Sequence, residues 1–175
     1  METQKNQRQT PTRVAPAKPE IAIKTLEQCL AELQGKISAK KLILISLCPS
    51  STNAVARHGF NEQENILLCN MLAAIDLPLE NAHLCSWLPH FNVSPNAELL
   101  QQHLPRLQAE CQLTQAQAVV FIGKFANEAN YQNGLAMLPS NAPRFVLPHP
   151  ARLLAQPHLK ADAWQILKKI KSAIQ

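Results

Sequence analysis

Residues 118–123, Ala-Val-Val-Phe-Ile-Gly, form an unbroken apolar run closed by a glycine. A short continuous run of this kind, rich in β-branched residues, has the pattern of a strand buried on both faces. Three further segments share its character. Lys41-Leu-Ile-Leu-Ile-Ser-Leu47 is apolar behind a basic pair, Ala82-His-Leu-Cys-Ser-Trp87 is mixed, and Arg144-Phe-Val-Leu147 runs into Pro148-His149-Pro150.

Helical patterns separate these strands. Ile23, Leu26, Leu30, Leu33 and Ile37 recur at three- and four-residue steps. Asn61 is placed to cap a helix reaching about Ile75, with Glu62 and Glu64 in its first turn and Leu67, Leu68, Met71, Leu72 and Ile75 on its buried face. Ser94 followed by Pro95 predicts a helix start, running to about Cys111, with Pro105 kinking or splitting it. A helical stretch follows Gly123 through Tyr131. The last helix, from about His158, is expected to bury Leu159, Ala163, Trp164, Leu167 and Ile170 or Ile174. Helices long enough for parallel crossovers alternate with four strands. The fold expected is three-layer α/β/α around a mainly parallel four-stranded sheet.

The 175 residues fit one domain and a tail. Residues 1–20 are rich in Gln, Thr, Pro and Lys without hydrophobic periodicity, so they are expected to be a disordered basic tail, with residues 21–175 forming the domain. The net charge of +5 sits at the ends. Lys5, Arg8, Arg13 and Lys18 oppose Glu2 and Glu20 in the tail, and Lys160, Lys168, Lys169 and Lys171 oppose Asp162 near the C-terminus, while the central body is neutral. Charge of this distribution is compatible with nucleic acid and does not by itself require it. No apolar run is long enough to span a bilayer, and the first twenty residues lack the apolar core of a secretory signal. Five singly spaced Cys without CxxC or Cys/His ligand spacing read as reduced packing thiols of a cytoplasmic protein, with no metal and no cofactor expected.

Open parallel sheets bind ligands beyond the carboxyl ends of their strands, here the loops after Leu47, Trp87, Gly123 and Leu147. The segment from Pro148-His149-Pro150 through Leu153, Pro157, Lys160 and Trp164 resembles the His-Pro-Ser motif and following helix of the uracil-DNA glycosylase superfamily, in its bacterial and archaeal iron–sulfur branch. Gly59-Phe60 with Leu67-Leu68 and Met71 to Ile75 is similar to the loop and helix carrying that family's uracil-stacking Phe. Val119 to Ala126 is similar to its third core strand.

The resemblance implies roles residue by residue. His149 stands where the family His stabilises charge developing on the departing base, and a donor aimed at such charge contributes strongly to catalysis. Phe60 stands at the stacking position, although its residue type equally suits a core or loop anchor. By position the family's Gly-Glu-Ala-Pro-Gly motif falls on Ser46 to Ser50, so Pro49 is retained, Ser50 ends the motif, and Leu47 replaces the acid that activates water. Ser86 falls where an Asn reads the uracil edge, Ala151 replaces the motif Ser, and His90 and His103 lie near the positions of cluster Cys. A family-type iron–sulfur cluster, which needs about four thiolates, is not expected. A Cys48 or Ser50 nucleophile with His149 as base lacks a third orienting group.

The expectation is therefore a degenerate, non-catalytic glycosylase-like protein acting in DNA replication or repair, through DNA, through a replication or repair protein docked on residues 1–20, or both. A precedent is the psi subunit of bacterial DNA polymerase III, a small α/β clamp-loader accessory with a flexible N-terminal docking segment. Residues 1–20 contain no comparable hydrophobic, Trp-containing motif. The alternative is an active glycosylase removing uracil or another deaminated base with His149 and without the acid.

Overall fold

The computed structural model describes residues 22–50 and 59–175. The tail expected over residues 1–20, and residues Ser51 and Thr52 of the first loop, lie outside the described residues. Four strands, β1 (Leu42–Ser46), β2 (Ala82–Ser86), β3 (Ala118–Ile122) and β4 (Arg144–Leu147), form one sheet in the order β2-β1-β3-β4, every pair parallel. The register aligns Ser46 with Ser86 and Ile122, and Ile122 with Leu147, so all four carboxyl ends finish at one edge.

Among the described residues the α-helices are α1 (Leu26–Leu33), α2 (Glu62–Ala73), α3 (Ala97–Thr114), α4 (Ala129–Ala136), α5 (Pro150–Ala155) and α6 (Lys160–Ala173), and all but α1 flank the sheet. Strand alternation splits the apolar residues into two cores. Leu42, Leu44, Val120, Ile122 and Leu147 meet α2, α5 and α6 through Leu68, Leu72, Leu153, Leu167 and Ile170. Ile43, Ile45, Val119 and Phe121 meet α3 and α4 through Leu100, Leu104, Leu107, Tyr131 and Leu135. The architecture is the expected three-layer α/β/α, with α1 packed outside on α3. Among the described residues no helix is long and apolar enough to cross a membrane.

Several boundaries differ from those read in the sequence. The first helix stops at Leu33 because the chain turns at Gly35, whose φ of +80° suits glycine. The cap of α3 is Asn96 and not Ser94, since its side chain accepts the Leu99 N–H at 2.9 Å. Pro105 lies within one continuous helix from Ala97 to Thr114. The carbonyl it deprives of a partner belongs to exposed Gln101, while Leu104 and Leu107 anchor the helix on either side. Trp164, expected in the core, is 41% exposed, one position off the stripe of Ala163, Leu167, Ile170 and Ile174.

Candidate functional site

Each of the four strand ends feeds a loop, and these loops enclose an open cleft of about 1030 Å³. Leu47 to Ser50 come from the loop after β1, Phe91 and Val93 from that after β2, Gly123 to Phe125 from that after β3, and Pro148 and His149 from that after β4. Glu64 at the start of α2 and Tyr131 of α4 complete the walls. The volume is at the upper end of the range for small-molecule sites, roughly 300–1,000 Å³.

The β1 loop is tied to α2 by Gly59. Ser50 N–H donates to its carbonyl at 2.6 Å, and a side chain there would sit 3.1 Å from the Pro49 backbone, in a residue whose φ is +82°. Only glycine fits both demands. Phe60 follows immediately and is 2% exposed, its ring 5.4 Å from the His149 imidazole and tilted by 44°. In this conformation Phe60 is a wall holding His149, with its faces covered by the core.

His149 is set by the sequence around it. Pro150 occupies the first position of α5, and His149 is its N-cap, with Nδ1 accepting the Ala151 N–H at 3.2 Å. Burial pushes the imidazole pKa down, partly opposed by nearby Glu64. A neutral ring whose Nδ1 accepts carries its proton on Nε2, so the cleft is offered an N–H donor.

The remaining residues singled out by position divide. Pro49 and Ser50 line the cleft, and the buried Ser50 hydroxyl has no hydrogen-bond partner among the described residues. Leu47 also lines it, so the first residue after β1 presents an apolar side chain. Ser86 does not line it: its hydroxyl donates to the Leu88 carbonyl at 2.8 Å. A residue that positional reading passed over does line it. Glu64 is only 4% exposed yet borders the cleft, with Oε2 accepting the Asn61 N–H at 3.0 Å in a capping box. The motif Asn61-x-x-Glu64 was visible as a helix start; nothing in it indicated the cleft. Lys124 and Arg152 lie exposed on the cleft wall, Lys124 within 3.4 Å of Glu128.

Elsewhere, His83, Cys85 and Glu110 bring an N, an S and an O donor within 4.8 Å of one another. The Glu110 carboxylate already meets His83 Nε2 at 2.8 Å and Arg106 Nε at 3.1 Å, which ties β2 to α3 through hydrogen bonds. An iron–sulfur cluster does not fit this chain's donors. The five Cys are distributed over α1, the β1 loop, α2, β2 and α3, and among the described residues no group of three comes within ligating distance. His90 and His103, near the positions that the resemblance gives to cluster Cys, are imidazoles and not thiolates.

A family model described as the Uracil DNA glycosylase superfamily matches residues 33–169. No curated protein matches the chain.

Proposed function

From the chain's membership of the uracil DNA glycosylase superfamily, to which it belongs over residues 33–169, we propose that it is a base-binding protein of DNA replication or repair that has lost efficient excision. The observation that carries this reading is the asymmetry of the cleft. His149 offers a donor, while the loop after β1 opens with Leu47, which cannot orient or deprotonate water. The positional equivalent of the edge-reading amide, Ser86, has its hydroxyl engaged with Leu88. Within the superfamily the chain reads as a relative of the iron–sulfur branch without its cluster ligands.

DNA enters the cleft base first, with Lys124 and Arg152 available to its phosphates. Residues 1–20 serve as the arm that docks a replication or repair protein, in the manner of a polymerase III psi-type accessory. The test is incubation with single-stranded and mismatched uracil oligonucleotides followed by alkaline cleavage of abasic sites. No strand breaks, with DNA retained and clamp-loader subunits co-purifying, is the expected result. Breaks that disappear in His149→Ala would establish the second reading, an active glycosylase, which the retained Nε2–H donor favours.

A further inference from the structure

Glu64 is an unusual group to find in this cleft. It is buried, it carries a carboxylate, and among the described residues no cation lies within salt-bridge distance of it. Its Oε2 is committed to the Asn61 N–H, and Oε1 has no protein donor among the described residues. Glu64 borders the cleft, so a ligand bound there can donate to its remaining oxygen. Near enough to feel its charge, His149 spends Nδ1 on the Ala151 N–H and has no partner for Nε2 among the described residues. The cleft therefore holds one acceptor-only group and one donor.

We infer that Glu64 is the specificity-determining residue of this cleft, and that Glu64 and His149 together read a base with a C=O beside an N–H, guanine being the best match. The inference rests on the reading of the cleft as a base-binding site. Guanine sets O6 next to N1–H and the N2 amino group. The carbonyl takes the His149 proton, and the two N–H groups face the carboxylate, which accepts and never donates. Hypoxanthine keeps the carbonyl and N1–H but lacks the amino group. Uracil offers one N–H and then turns a second carbonyl toward the carboxylate, where like lone pairs repel. Adenine has no carbonyl, and cytosine has an unprotonated N3 beside its own. A carboxylate at this place also disfavours a phosphate beside it, which orients a nucleotide with its phosphate toward Lys124 and Arg152. The space of about 1030 Å³ admits a purine, and Phe91, 40% exposed on the wall, is available to stack on it.

The experiment is a titration of the full chain with guanosine, inosine, uridine, cytidine and adenosine, followed by saturation-transfer NMR or calorimetry, beside a single-stranded DNA binding assay. Guanosine binds about tenfold or more tighter than adenosine, with inosine and then uridine between them. Glu64→Gln keeps the capping oxygen, so helix α2 and the melting temperature are retained, and it turns an amide donor toward the cleft. In that variant guanosine loses its advantage and uridine gains on it. If DNA binds but the nucleosides are not discriminated, or Glu64→Gln leaves their ranking intact, the role given to Glu64 is wrong and the proposed function stands. If neither nucleosides nor DNA bind, both fall.

Discussion

Gly134→Ala tests how tightly α4 packs on the chain after β2. Gly134 lies in α4, and a Cβ placed on it would stand 2.3 Å from Cη2 and 2.6 Å from Cζ2 of Trp87. No real Cβ contact is that short, so the ring or the helix has to move. The ring has little freedom. It is 3% exposed, its Nε1–H donates to the Leu100 carbonyl at 2.9 Å, and it meets Tyr131 edge-on at 6.2 Å. Overpacking of this kind costs about 1–3 kcal/mol, and the rigidity of an indole places it toward the upper figure. Replacing a helical glycine by alanine returns about 1 kcal/mol. The net is a loss of about 1–2 kcal/mol, or roughly 2–8 °C in melting temperature for a chain of this size. Thermal and urea unfolding of wild type, Gly134→Ala, Trp87→Phe and the double variant form the assay. Phe lacks the atoms that clash, so Gly134→Ala becomes neutral or stabilising in that background, and the cycle shows coupling of about 1–3 kcal/mol. Equal penalties in both backgrounds, or a wild-type background stabilised by the alanine, would refute the packing argument.

Two further expectations concern single groups. His149→Asn keeps an N-cap acceptor for α5 and stays close to wild type in stability above neutral pH, whereas His149→Ala loses about 1 kcal/mol; nucleoside binding is lost in both. Because burial depresses the His149 pKa, the unfolded chain takes up the proton first on acidification. The stability linked to this group is complete above about pH 6.5 and is lost as pH falls through the lower native pKa. Urea midpoints measured from pH 7.5 downward show this slope in wild type and a shallower one in His149→Asn. The thiols provide the other expectation. Burial and Glu110 push Cys85 well up and Cys111 to about 12, so both resist iodoacetamide at pH 8 in the native protein and react in denaturant, as mass mapping of the alkylated peptides shows.

The fold was legible where one physical cause dominates. A parallel strand covered on both faces must be continuously apolar, and Leu42–Ser46 and Ala118–Ile122 are buried at every position. Asn61 was legible as a cap because its side chain bonds a backbone only three residues away. Reading failed where tertiary packing overrides a local rule. Pro105 does not break α3, because the apolar residues around it fix the helix against the sheet and the orphaned carbonyl faces water. Trp164 falls outside the core because helical spacing from Leu167 leaves a residue within about 100° of the buried stripe, at its margin.

The site was legible in its place and only partly in its composition, and the reason is the same contrast between local and distant causes. That the four loops converge follows from parallel strands in register, so His149, Pro49 and Ser50, each after a strand end, border one cleft. Which polar groups face inward depends on short hydrogen bonds made after the chain has folded. Ser86 turns its hydroxyl to Leu88 two residues on and leaves the cleft chemistry. Glu64 caps its own helix with one oxygen, and that same bond holds the carboxylate at the border of the cleft, which it shares with a His brought from 85 residues away in the chain. Correspondence with a family motif carries over positions and not the bonds made at them. The specificity proposed for this chain is therefore argued from the hydrogen bonds that Glu64 and His149 themselves make and leave unmade among the described residues.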